Sequence, residues 1–116
     1  MDQLGEFQHK ELAAGRWAEM SLAEQMGNIG SEVSRSLRWY GRNERRFRSC
    51  SDRALELLDL SIMAAQKQGL SGRLKELCRA REEFCDYFFG GNSWGTEPAR
   101  MQRYYDQFVS VARGVQ

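Results

Sequence analysis

In SGRLKELCRAREEFCDYFFGG, residues 71–91, the residues Leu74, Leu77, Cys78, Phe84, Cys85 and Phe88 return every three or four positions, the period of one face of an α-helix. Arg81 stands on the same stripe, where an apolar side chain belongs. A guanidinium taken out of water is costly unless it is paired and hydrogen-bonded. Arg81 therefore needs a carboxylate or carbonyl partner, or else it faces a functional groove. Glu56 and Asp59, set inside the apolar run that precedes this helix, are the carboxylates expected to meet it across a helix interface. Ser71 reads as the N-cap of a helix over residues 72–89, and Gly90 and Gly91 stop it.

Working outward, ALELLDLSIMAA (residues 54–65) is apolar nearly all round and predicts the most buried helix, within a helical stretch over residues 44–67 that ends before Gly69. Before it, Ser21 and Glu24 form an S-x-x-E capping box, and Leu22, Met26, Ile29, Val33, Leu37 and Tyr40 give one apolar face to a helix over residues 21–40. Gly27 and Gly30 each cost on the order of 1 kcal/mol inside that helix, so close packing of a neighbouring helix is the reason to keep them. Gly41 with Asn43 stops it. After the third helix, GGNSWGTEP is a tight connection with Trp94 as an apolar plug, and Thr96, Glu97 and Pro98 open a last helix that runs to Arg113.

The single proline and the absence of sustained period-two alternation leave strands little support. The expected fold is all-α: an antiparallel up-and-down bundle of four main helices joined by short loops. Residues 1–116 make one domain, and residues 1–20 form a peripheral segment with a short helix over residues 3–14 and Trp17 and Met20 as its anchors.

Composition narrows the chemistry. The formal net charge is +1, with 28% charged and 41% hydrophobic residues, which gives no global attraction to nucleic acid or membrane. No apolar run approaches a membrane span and the first 20 residues are too polar for a signal peptide, so a cytoplasmic location is expected. Cys50, Cys78 and Cys85 with the one histidine, His9, lack metal-ligand spacing, so neither metal nor cofactor is expected; free buried cysteines are the expectation. Cys78 and Cys85 lie two turns apart, too far for a disulfide. One histidine leaves no triad for Ser21, Ser34, Ser51 or Ser93, GGNSWG lacks the ending of a phosphate loop, and the adjacent Glu82 and Glu83 are no glycosidase pair.

Two constellations remain. The first is Arg81 with Asp86 and Tyr87 on its own helix and Glu56 or Asp59 opposite. The second is a basic turn, in which Arg35, Arg38, Arg42, Arg45, Arg46, Arg48 and Arg53 stand against only Glu44 and Asp52, a local charge of +5, with Trp39, Tyr40 and Phe47 interleaved. Arginine binds phosphate and carboxylate bidentately and aromatic rings stack on bases, so the turn suits RNA or an acidic protein. A solvated helical corner is the other reading, since arginine supplies all but three of the 17 basic residues.

The order R-EEFC-DY, Arg81 followed after four residues by Asp86 and Tyr87, resembles the signature of the HEPN superfamily of small helical bundles, in which a histidine follows the arginine after four to six residues. The resemblance implies a bundle of about four helices, frequent dimerisation, RNA cleavage in active members and pairing with a nucleotidyltransferase in others. Asp86 stands where the histidine would be, and an aspartate ionised at neutral pH repels phosphate. Some relatives present a modifiable tyrosine two positions beyond the histidine; here that place is Phe88 and Tyr87 is one early. Nearly the whole chain, through MSLAEQMGNIGSEVSRSLRW, RALELLDLSI, GRLKELCRAREEFCDYFFG and YYDQF, is also similar to a family of small bacterial helical proteins of uncharacterised function. The leading expectation is a non-catalytic interaction domain, HEPN-like, with a nucleotidyltransferase-type partner or a second copy of itself. The alternative is an RNA-binding or ribonuclease-like protein using the basic turn and Arg81.

Overall fold

The structure, a computed structural model, describes residues 15–114. Four long helices follow one another: α1 (Leu22–Trp39), α2 (Glu44–Gln68), α3 (Ser71–Phe89) and α4 (Pro98–Ala112), with residues 15–19 also helical ahead of them. No strand occurs among the described residues, and none of their helices is long and apolar enough to cross a membrane. The helix expected over residues 3–14 lies outside the described residues.

Each terminus follows from local chemistry. At the start of α1 the capping box is complete: the Glu24 amide donates to Ser21 Oγ (3.1 Å) and the Ser21 amide to Glu24 Oε1 (2.9 Å). Asn43 does more than stop α1; its Oδ1 accepts from the Arg46 amide (3.0 Å) and caps α2. Gly69, at φ 70°, turns the chain out of α2, and Leu70 donates to Ala65 O (2.9 Å) while its own carbonyl accepts from Leu74 (2.8 Å). Because Leu70 closes one helix and opens the next, α3 starts a residue earlier than expected, and Ser71 lies inside its first turn rather than capping it.

The helices run up, down, up, down. The end of α2 meets the start of α1, where Gln68 Nε2 donates to Ala18 O (3.0 Å), and the start of α3 lies there too, with Arg73 Nη1 on Met20 O (3.4 Å). At the opposite end, Tyr40 packs on Phe47 and Phe88, with ring centroids 5.1 Å away in both cases. Helix α4 descends along α1, since Gly30 faces Tyr105 and Gly27 faces Val109. Helix α1 therefore packs between α2 and α4, and α3 packs on α2. Trp17 is buried against the bundle: its Nε1 donates to Ser61 Oγ (2.6 Å) and its carbonyl accepts from Gln25 Nε2 (2.9 Å).

The core is built from Met26, Ile29 and Val33 of α1, Ala54 and Leu58 of α2, Leu77, Ala80, Phe84 and Phe88 of α3, and Met101 and Tyr105 of α4. Three expectations are corrected here. The buried stripe of α3 is Leu77, Ala80, Phe84 and Phe88; Cys78, Arg81 and Cys85 lie on its flank, so the cysteines are free but half-buried. Helix α2 is not enclosed, because α1 and α3 cover adjacent faces and leave Glu56, Asp59 and Met63 outside, Met63 at 63% exposure. Trp94 is no plug, being 49% exposed, since the 90–97 loop is held by polar groups instead.

Candidate functional site

Arg81 finds the partner expected of it. Its Nε donates to Asp59 Oδ1 of α2 at 2.7 Å, and its Nη1 lies 3.7 Å from Cys85 Sγ, one turn along α3. The carboxylate of Asp59 holds the guanidinium pKa above its ordinary value, against a smaller opposing effect of burial. The pair is a rim contact, however, with side chains 40% and 52% exposed. Solvent screening leaves such pairs weak, so a double-mutant cycle on Arg81→Gln and Asp59→Asn is expected to return a coupling below about 1 kcal/mol in urea unfolding. Glu56 lies exposed on the same helix, three residues before Asp59.

Asp86 points elsewhere. Its Oδ1 accepts from Ser93 Oγ (2.6 Å) and the Ser93 amide (3.0 Å), its Oδ2 from the Trp94 amide (3.0 Å), and its carbonyl from Asn92 (2.8 Å). One carboxylate thus holds the turn that leads from α3 to α4. Asn92 and Thr96 complete the turn with reciprocal bonds, and Thr96 Oγ1 donates to Glu83 Oε2 at 2.9 Å. The Ser93 hydroxyl, then the Trp94 amide, hold the Asp86 carboxyl below its usual pKa. A depressed carboxyl stabilises the fold above its unfolded pKa of about 4, and that contribution is lost as pH falls through the lower folded value. Thermal unfolding at pH 6 is therefore expected to show Asp86→Asn less stable than the parent, with the gap closing below about pH 4.

Tyr87 joins neither neighbour. Its ring meets Phe88 edge-on at 4.9 Å and lies 5.9 Å from Tyr40, and burial raises its pKa. Arg81, Asp86 and Tyr87 thus lead to three different places: α2, the α3–α4 turn and the aromatic cluster.

The basic turn divides into paired and unpaired cations. Glu32, only 7% exposed, places Oε2 at 3.2 Å from Arg35 Nη1 and 3.5 Å from Arg53 Nη1. Arg48 pairs with Glu44 at 2.8 Å, and Arg46 lies over the Trp39 ring at 4.7 Å. Arg38, Arg42 and Arg45 are exposed and have no ion pair among the described residues. The chain's turns add what the sequence could not: Phe89, 58% exposed, lies 5.9 Å from Phe47, so Phe89 carries the aromatic cluster of Tyr40, Phe47 and Phe88 to the surface at this end of the bundle.

Between α3 and α4 lies a further polar cluster, which no local spacing in the sequence signals. Tyr104 donates its hydroxyl to Glu76, Arg79 lies 5.0 Å over the Tyr104 ring, and Arg79 reaches Glu76 (3.5 Å) and Glu83 (3.9 Å). Burial, then the Glu76 carboxylate, raises the Tyr104 pKa. These long side chains span the two helices. No group of three or more metal-ligating side chains converges among the described residues. Compared with known protein families, curated proteins and solved structures, the chain matches none.

Proposed function

We propose that the protein is a non-catalytic interaction module that binds an acidic protein surface through the end of the bundle carrying Arg38, Arg42, Arg45, Tyr40 and Phe89. The observation that carries this reading is the coincidence of three arginines without carboxylate partners among the described residues and exposed aromatic side chains at one end, while Arg81 and Asp86 are occupied in holding helices and a loop together. Arginine and aromatic residues are the side chains enriched at the centres of protein interfaces. A nucleotidyltransferase-type protein, the partner implied by the HEPN resemblance, is the first to test.

RNA binding is the second reading, favoured by the same arginines. The occupied face of Trp39, under Arg46, argues against a base-stacking platform. Fluorescence anisotropy with a labelled oligoglutamate peptide and a labelled single-stranded RNA of equal charge separates the two. The proposal expects the peptide to bind at least as tightly as the RNA at low salt. RNA binding alone, with no peptide binding, would replace it.

A further inference from the structure

Helices α1 and α4 leave a half-open groove of about 390 Å³ between them, on the side of α1 away from α2. Its α1 wall carries Ser31, Ser34, Arg35 and Arg38, successive positions of one helical flank, and its α4 wall carries Gln102 and Asp106. The floor exists because Gly30 lets Tyr105 pack directly on the α1 backbone, which sinks the surface between the two polar walls. The walls differ in charge. Arg35 is held by Glu32, a carboxylate buried behind it, so its fork is oriented before any ligand arrives; Arg38 has no ion pair among the described residues. Opposite, Gln102 Nε2 donates to Asp106 Oδ1 at 2.9 Å and holds the carboxylate in place.

We infer that this groove binds a small organic phosphate bearing hydroxyl groups, of the sugar-phosphate class. Arg38, the nitrogens of Arg35 that Glu32 does not engage and the Ser34 hydroxyl offer a phosphate dianion more donors than a single carboxylate can use, while the Ser31 hydroxyl is given to Gly27 O at 3.4 Å. A second ligand carboxylate or phosphate at the far wall would be repelled by Asp106, whereas a hydroxyl donates to it. The volume lies within the ordinary range for small-molecule sites. Tyr105, the one ring bordering the groove among the described residues, is buried and offers no face for a nucleobase. The inference goes beyond the interaction surface proposed above and does not depend on it, although Arg38 borders both.

Isothermal titration calorimetry with glucose 6-phosphate, glucose and inorganic phosphate tests it. Glucose 6-phosphate is expected to bind with a sub-millimolar constant, inorganic phosphate about tenfold more weakly and glucose not measurably. Arg38→Gln is expected to weaken glucose 6-phosphate by about tenfold, since it removes one of two charge-assisted contacts. Asp106→Asn is expected to weaken glucose 6-phosphate several-fold while leaving inorganic phosphate as tight or tighter. The Arg42→Gln, Arg45→Gln double variant, which targets the interaction surface, leaves all three titrations unchanged. No binding of glucose 6-phosphate at about 10 mM, equal affinity for inorganic phosphate, or an unaltered Arg38→Gln titration would each overturn the assignment.

Discussion

Trp17→Ala is expected to lower stability by about 3–5 kcal/mol, the cost of removing a large buried aromatic side chain. Three effects combine at this residue. The indole is buried among the core side chains, its Nε1 donates to Ser61 at 2.6 Å, and its backbone carbonyl accepts from the fully buried Gln25. Removing the ring unpins the carbonyl on which Gln25 depends, and a buried amide without its acceptor costs about 1–3 kcal/mol by itself. Trp17→Phe separates the effects, because it keeps most of the apolar contact and removes only the donor to Ser61; about 1–2 kcal/mol is expected for it. Urea unfolding followed by circular dichroism measures both. A loss below about 1 kcal/mol for Trp17→Ala would show that residues 15–20 lie on the bundle without stabilising it.

Gly30→Ala is expected to cost about 1 kcal/mol net although alanine is the better helix former. A Cβ at position 30 would sit 2.6 Å from Tyr105 Cβ, and that atom belongs to the start of the side chain, so no flexible end can swing away. The helices must separate, and overpacking of this kind costs about 1–3 kcal/mol, exceeding the gain of about 1 kcal/mol in helix propensity. Gly27→Ala one turn earlier is the matched control. Its Cβ would meet Val109 Cγ2 at 3.7 Å, an ordinary contact, so propensity wins and stability rises by up to about 1 kcal/mol. The sign difference between two glycines on one helix is the result to look for.

Those glycines show how far the sequence could be read. Their presence in α1 pointed to a close helix neighbour, and Gly30 has one; only the antiparallel register of α4 could reveal that Gly27 does not need its missing Cβ. The capping box of Ser21 and Glu24 and the pairing of Arg81 with an acid on the preceding helix were legible because each depends on local spacing or on a single charge out of place. Ser71 misled because a tight turn lets Leu70 serve both helices, and no propensity reports that. Asp86 was read as a member of a polar site; its true partners, Ser93 and Trp94, become neighbours only when the loop folds back. The groove was invisible for the same reason, since Arg35 and Arg38 face Gln102 and Asp106 across nearly seventy residues of chain. Glu32 is the residue that sequence reasoning passed over most completely: it sits on the inner edge of a charged helix, and its burial between Arg35 and Arg53 follows from packing against α2.

The division of arginines is what connects fold to function. Arg35, Arg48, Arg53 and Arg81 satisfy carboxylates within the chain, and Arg46 covers Trp39. Arg38, Arg42 and Arg45 are left to solvent, at the end where the aromatic cluster reaches the surface. Charges of this kind set encounter rate and salt dependence, and adjacent apolar edges supply the residence time.

The most direct measurement is the affinity of a labelled oligoglutamate peptide, by fluorescence anisotropy across a salt series, for the parent protein, the Arg42→Gln, Arg45→Gln double variant and Arg81→Gln. Binding that weakens with salt, falls about tenfold in the double variant and is unchanged in Arg81→Gln is the predicted result. Unaltered binding by the double variant, together with its loss in a folded Arg81→Gln protein, would contradict the account and return Arg81 to the functional site.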